Sequence, residues 1–140
     1  MTNPSSPGPI ARDIPAPADP GSGTWGSDAV ADAVRAVGVS YVALVPGSSY
    51  RGLHDSLVNH LGNRAPQVVL ALSEETAVAI AHGYAKASGR MMAVALHANV
   101  GLMRGVMGIY NAWCDRVPML VIGGTGPWDA ARRRPLRADR

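Results

Sequence analysis

Charged residues, cysteine and long apolar runs are all scarce in this chain of 140 residues. Only 16% of the residues are charged, and the single cysteine, Cys114, excludes an internal disulfide or a cysteine-rich zinc site. No apolar run reaches the length that spans a bilayer, and no basic start followed by a hydrophobic stretch marks a secretory signal. We therefore expect a cytoplasmic protein without a membrane partner.

The positive charge of the chain, a net +3, is concentrated at its C-terminal end. Five arginines fall within the last nine residues, and no aromatic residues that could stack on bases are interleaved with them. A solvated basic tail is therefore favoured over a nucleic-acid-binding segment, and no nucleic acid partner is expected.

Composition divides the chain into three parts. Residues 1–24 are rich in proline, glycine and serine, which predicts a disordered leader because such a segment cannot offset its ordering entropy. Residues 25–131 carry regular apolar patterns and form the predicted domain. Hydrophobic residues make up 47% of the whole chain, which is enough for a single core. Residues 132–140 are the basic tail.

Within the predicted domain, short apolar runs alternate with segments of helical periodicity. The runs predict four strands, over residues 39–45, 67–72, 91–96 and 119–122. The second of these is expected to be a buried strand. The alternation predicts an α/β fold with a doubly wound parallel sheet, incomplete at its C-terminal end.

Four helices are predicted between and before these strands. The first begins after Ser27 as its N-cap, and the others cover residues 50–61, 74–88 and 101–115. The buried stripe expected for the first helix consists of Val30, Val34 and Val37 with Ala33.

Polar residues and glycines follow each predicted strand. The groups are Pro46-Gly47-Ser48-Ser49, Ser73-Glu74-Glu75, His97-Ala98-Asn99 and Gly124-Thr125-Gly126. Because ligands of open parallel sheets bind beyond the carboxyl ends of the strands, these groups are expected to share one binding edge.

Glu74 has the most informative position among these residues. It precedes a helical apolar stripe, so its side chain is expected on the buried face of the helix and that of Glu75 on the solvated face; the stripe consists of Ala77, Val78, Ala81 and Ala85. Glu74 is either a first-turn residue that complements the helix dipole or a carboxyl with a functional role in an apolar pocket.

Several neighbouring residues allow two interpretations. His97 is either a hydrogen-bonded structural residue or a catalytic one, and Asn99 is either the N-cap of the next helix or a ligand contact. Cys114 is expected in the core, because no activating base lies near it in sequence. One helix face carries only small residues, which implies close approach of a ligand or a packed neighbour; it consists of Gly101, Gly105, Gly108 and Ala112.

The segment from Glu74 to Gly89 resembles a signature of thiamine-diphosphate-dependent enzymes, a glutamate followed by Gly-Tyr-Ala-(Arg/Lys)-Ala-(Ser/Thr)-Gly. Val45-Pro46-Gly47 is similar to the first loop of that family, and residues 115–124 are similar to its helix-to-strand segment. The pieces occur in the family's order and cover about residues 25–134. The sequence thus resembles the N-terminal, pyrimidine-binding domain of enzymes of the acetolactate synthase and 2-oxo-acid decarboxylase type.

This resemblance implies roles for the residues at the binding edge. In the family, a glutamate that matches Glu74 hydrogen-bonds N1′ of the thiamine diphosphate aminopyrimidine and promotes the imino tautomer, which removes the thiazolium C2 proton before attack on a 2-oxo acid. His97 matches a substrate-facing catalytic histidine of some decarboxylases. The cofactor-binding residues implied beside Glu74 are Pro46, Gly47, Asn99 and Gly101. Acetolactate synthases more often have a Gly-Pro-Gly turn near His97, so lyase and transferase chemistry both stay open.

The family's Mg²⁺-binding motif, Gly-Asp-Gly…Asn, does not occur in this sequence. In the family, that motif lies in a separate domain that binds Mg²⁺ and the diphosphate, and the active site forms between two subunits. The resemblance therefore implies a homodimer or a partner chain carrying the diphosphate-binding domain, and no metal site in this chain. We expect a truncated product that is inactive alone. The alternatives are half of a split thiamine-diphosphate enzyme and a non-catalytic interaction module.

Overall fold

A four-stranded parallel sheet organises residues 24–124, the part of the chain that the computed structural model describes. The elements in chain order are α1 (Gly26–Ala36), β1 (Tyr41–Leu44), α2 (Arg51–Asp55), β2 (Gln67–Leu70), α3 (Glu74–Ser88), β3 (Met92–Leu96), α4 (Ala98–Cys114) and β4 (Met119–Gly123). A 3₁₀ turn over Ser48–Tyr50 leads into α2, and a π-helical turn over Ser56–His60 continues it. The predicted basic tail, the leader except Thr24, and Thr125-Gly126 lie outside the described residues.

The strand order is β2-β1-β3-β4, and all neighbouring strands are parallel. Alternate residues of β1 and β3 point to opposite faces of the sheet and build two apolar cores. Val42, Leu44 and Ala95 pack with α1 and α2 on one face. Ala43 and Val94 pack with α3 on the other. Helices on both faces of a parallel sheet confirm the predicted doubly wound α/β fold.

The N-terminus of α1 differs from the prediction. The helix begins at Gly26, with Trp25 in the N-cap position and its backbone N–H donating to the Asp28 carboxylate at 2.8 Å. The Ser27 hydroxyl instead lies 2.9 Å from that of Ser56. Ser27 is therefore inside the helix, because Asp28 binds the N–H of Trp25 and extends the helical turn backwards.

The predicted stripe of α1 is also wrong in most of its members. The buried residues of the helix are Ala31 and Val34, whereas Val30, Ala33 and Val37 are exposed. The helix contacts α2 and the turn after it through its i, i+3 face, which rotates the other two valines towards solvent.

The second strand, β2, is an edge strand rather than a buried one. Only β1 pairs with it, and Leu70 and Leu72 are exposed, the latter completely (100%). Apolar composition alone did not distinguish this strand from the central ones, because edge position depends on the strand order.

Helix α4 begins three residues before its predicted start. His97 occupies its N-cap position and Asn99 lies in its first turn, so the interpretation of Asn99 as the N-cap is wrong. Cys114, predicted in the core, is exposed at the C-terminal end of α4, because the buried face of that helix runs through Gly101, Gly105 and Ala112. Within residues 24–124, no helix combines the length and hydropathy required to cross a membrane.

Candidate functional site

The predicted site residues lie beyond the carboxyl ends of the strands. Pro46 and Gly47 follow β1, and Glu74 begins α3 after β2. His97 follows β3 directly. Since all strands run in the same direction, these positions share one edge of the sheet, where open α/β sheets bind ligands.

Glu74 is a buried carboxyl at the N-terminus of α3. Ser73 caps the helix, and its hydroxyl accepts a hydrogen bond from the backbone N–H of Thr76 at 3.2 Å. Glu74 is the first helical residue and only 6% exposed, and the buried stripe after it is the predicted one: Ala77, Val78, Ala81 and Ala85. The structure thus confirms the burial of Glu74 that was expected from the helical spacing.

The carboxyl group of Glu74 packs against Gly101 in the first turns of α4. A Cβ atom on Gly101 would lie 2.9 Å from Glu74 Oε1 and 3.1 Å from the Leu96 backbone carbonyl carbon. Glycine is therefore required there for the Glu74 side chain to occupy its present position beside α4.

The other small residues of α4 pack against α3 and β3 of the same domain. A Cβ on Gly105 would lie 3.1 Å from Val78 Cγ2, and one on Gly108 only 2.6 Å from Val78 Cγ1. The small-residue face thus packs closely within the domain.

Glu75 faces solvent as predicted, and it forms an ion pair with Arg104 that was not predicted from the sequence. The Arg104 Nε donates to Glu75 Oε1 at 3.1 Å, and Arg104 Nη1 lies 3.9 Å from Glu74 Oε2. The pKa of Glu75 is below its usual range, first because of its own backbone N–H, then because of the Ser73 hydroxyl and Arg104. Arg104 lies 29 residues from Glu75, so no local spacing indicated this pair.

The His97 imidazole lies against the backbone of Gly47. A Cβ on Gly47 would be 3.0 Å from His97 Nδ1 and 3.4 Å from Cε1. The Nδ1 atom is buried and has no hydrogen-bond partner among residues 24–124. The structure thus brings together two pairs of predicted site residues, Gly47 with His97 and Gly101 with Glu74.

Tyr50 connects the ends of two strands at this edge. Its hydroxyl lies 2.7 Å from the carbonyl oxygen of Leu96 and 2.8 Å from that of Ile122. Burial raises the pKa of Tyr50. Tyr50 thereby fixes the end of β3 next to His97, a role that sequence analysis missed because both contacts are distant along the chain.

The remaining predicted residues are more peripheral. Pro46 and Asn99 are both exposed. Within the described part of the chain, no group of three or more histidine, cysteine or acidic residues is arranged to hold a metal ion.

Known proteins resemble this chain in sequence. The family model described as "Thiamine pyrophosphate enzyme, N-terminal TPP binding domain" matches residues 24–138. The acetolactate synthase large subunit of Lactococcus lactis is 36% identical over 117 residues, which are 83% of this chain and 20% of that protein. The corresponding subunit of Haemophilus influenzae is 32% identical over 99 residues, which are 71% of this chain and 17% of that protein.

Solved structures share the fold. Benzoylformate decarboxylase from Polynucleobacter necessarius superposes with a TM-score of 0.63 at 24% identity, covering 79% of this chain and 20% of that one. The chain thus spans about a fifth of the length of the proteins that it matches. The match over residues 24–138 and the shared fold together show that the chain belongs to the thiamine pyrophosphate enzyme family, in which it corresponds to the N-terminal TPP binding domain.

Proposed function

We propose that this chain supplies the aminopyrimidine-binding half of a thiamine diphosphate site, with Glu74 as the residue that hydrogen-bonds N1′ of the cofactor. The observation that supports this role most directly is the burial of the Glu74 carboxyl between α3 and Gly101. A carboxyl held away from water by small residues interacts more strongly with a ring nitrogen than a solvated one does.

The residues around Glu74 fit the cofactor's pyrimidine end. The absence of a side chain at Gly101 lets the Glu74 carboxyl lie against α4, and Gly47 lies at the same sheet edge. We propose Pro46, Gly47, Asn99 and Gly101 as cofactor contacts next to Glu74. When bound, the cofactor supplies the carbanion chemistry that acts on a 2-oxo acid. The protein's part is to position the ring through a hydrogen bond from Glu74.

His97 is proposed as the catalytic residue that faces the substrate. Its ring follows β3 at the same sheet edge as Glu74, and its buried Nδ1 has no hydrogen-bond partner among residues 24–124. An imidazole can donate or accept a proton near neutral pH, as reactions of 2-oxo acids require.

The diphosphate and Mg²⁺ are proposed to bind to a partner chain that carries the diphosphate-binding domain. Helix α4 exposes seven large apolar side chains, among them Trp113 at 79%: Val100, Leu102, Met103, Val106, Met107, Tyr110 and Trp113. A patch of this kind on one helix indicates a protein interface. We accordingly propose a homodimer or a complex with a diphosphate-binding chain, and no 2-oxo-acid turnover by the chain alone.

Cofactor titration of the purified chain tests the role of Glu74. Thiamine diphosphate with Mg²⁺ is added while backbone amide signals are followed by NMR, for the unmodified chain, Glu74→Gln and the matched control Glu75→Gln. We expect shifts at Gly101 and Gly47, lost in Glu74→Gln and kept in Glu75→Gln. Equal behaviour of the two variants, or no shift at saturating cofactor, contradicts the proposal. Dimerisation that persists in Glu74→Gln, without any cofactor effect on melting, favours the non-catalytic interaction module instead.

The proposed interface is tested separately by sedimentation velocity. Met107→Glu places a charge on the exposed face of α4, and Val30→Glu places one on an exposed position of α1. We expect Met107→Glu, but not Val30→Glu, to shift the chain towards a monomer. A monomeric unmodified chain that also fails to bind a diphosphate-binding partner would contradict this part of the proposal.

A further inference from the structure

Three arginines line one cleft at the edge of the sheet where the strands begin, opposite the edge that carries Glu74. Arg35 comes from the last turn of α1, Arg64 from the loop before β2, and Arg90 from the turn before β3. The cleft has a volume of about 320 Å³, and its wall includes Ser40 and Gln67 at the starts of β1 and β2. Three separate segments of the chain therefore each contribute an arginine to this cleft.

The charge of this cleft is only partly compensated. Arg35 pairs with Asp32 at 2.6 Å, but no acidic residue lines the cleft itself. Arg90 Nη2 donates to the Ser40 hydroxyl at 2.8 Å, a neutral partner that orients the guanidinium without cancelling its charge. The Arg64 side chain has no hydrogen bond or ion pair with any of residues 24–124. Most of the guanidinium donors thus stay available.

This arrangement suits an anion with several oxygen acceptors. A guanidinium offers five donors in a planar fork that matches phosphate geometry, and like charges gathered in one cleft are relieved when a multiply charged anion binds between them. A volume near the lower limit of small-molecule pockets favours a compact ligand over an extended one. Since the walls also include the polar groups of Ser40 and Gln67, the cleft offers neutral hydrogen-bond partners besides its charge.

We propose that the cleft formed by Arg35, Arg64 and Arg90 binds a small phosphate-bearing compound with at least two negative charges. The proposal is independent of the function proposed for Glu74, because the two places lie at opposite edges of the sheet. An occupant there would join the end of α1 to the starts of three strands. Binding would therefore stabilise the fold as well as neutralise the arginines.

Titration of the full chain with inorganic pyrophosphate tests this proposal. Binding is followed by calorimetry and by NMR shifts of Ser40 and Gln67, for the unmodified chain, Arg64→Gln, Arg90→Gln and the control Arg116→Gln. The control removes the same charge outside the cleft. We expect saturable binding of one pyrophosphate with shifts at Ser40 and Gln67, weakened at least about tenfold by either cleft substitution and unchanged in the control.

Three results would overturn the proposal. One is the absence of saturable binding, and another is an equal loss of affinity in Arg116→Gln, which would indicate attraction by net charge alone. A third is binding only to vesicles that contain phosphatidic acid, with no response to soluble pyrophosphate, which would assign the arginines to a lipid surface. Melting curves of each variant without ligand verify that the substituted chains are folded.

Discussion

The tight packing of α4 against α3 at Gly108 gives a stability prediction that separates helix propensity from packing. Gly108 in α4 and Gly83 in α3 are both helical, so alanine at either position gains roughly 1 kcal/mol of helix propensity. A Cβ at position 83 meets nothing within 4 Å, whereas one at position 108 would lie 2.6 Å from Val78 Cγ1. The difference between the two variants therefore measures the steric cost alone.

That cost can be bounded from the contact. Favourable carbon–carbon contacts lie at about 3.5–4.0 Å, so the new methyl group would be about 1 Å too close to Val78. Val78 is fully buried and, as a β-branched residue in a helix, strongly prefers one rotamer, so it cannot turn away. Overpacking of this kind costs about 1–3 kcal/mol. We expect Gly83→Ala to stabilise the chain and Gly108→Ala to be less stable than Gly83→Ala by about 1–3 kcal/mol.

A third variant identifies the origin of the difference. Val78→Ala alone removes two buried carbons and costs about 2 kcal/mol. In that background the shortest remaining approach is 3.2 Å, to the Cβ of residue 78, so Gly108→Ala should become neutral or stabilising. Urea denaturation, followed by far-UV circular dichroism, gives the free energy of unfolding of the unmodified chain, the three single variants and the double variant. The reasoning is refuted if Gly108→Ala stabilises as much as Gly83→Ala, or if its effect is the same with Val78 and with alanine there.

Further predictions concern three residues at the edge that carries Glu74. Tyr50→Phe leaves the carbonyls of Leu96 and Ile122 without their hydroxyl and should cost about 1–3 kcal/mol in urea denaturation. Because burial raises the pKa of Tyr50, the unmodified chain should lose stability as the pH rises above the ordinary pKa of tyrosine. Tyr50→Phe should reduce that loss. If the free energy of unfolding falls equally with pH in both chains, Tyr50 is not its cause. Ser73→Ala removes the N-cap of α3 and should cost about 1 kcal/mol in the same denaturation assay. Gly47→Ala should displace the His97 imidazole and shift its ring proton NMR signals, whereas Gly26→Ala should not, since no atom lies within 4 Å of a Cβ there.

The local sequence pattern was sufficient to predict those elements that depend only on neighbouring residues. Helix α3 has its predicted bounds, Glu74–Ser88, because a serine cap, a helical apolar stripe and a left-handed glycine at position 89 all act within a few residues. The same spacing predicted that Glu74 is buried and Glu75 solvated, since helical periodicity fixes which side chains share a face.

Local pattern failed where the answer depends on what a residue packs against. The apolar sequence of β2 resembles that of a central strand, but the strand order places it at the edge. The valines of α1 were assigned to the core, but the contact with α2 uses Ala31 and Val34 instead.

The sequence by itself determined the α/β alternation, the position of Glu74 on its helix and the family to which the chain belongs, because each of these is encoded in short-range spacing. Only the tertiary structure decided that Gly101 receives the Glu74 carboxyl, that Gly47 receives the His97 ring, and that three arginines share one cleft. These contacts join residues from different strands and helices, and their distances depend on how the helices pack on the two faces of the sheet.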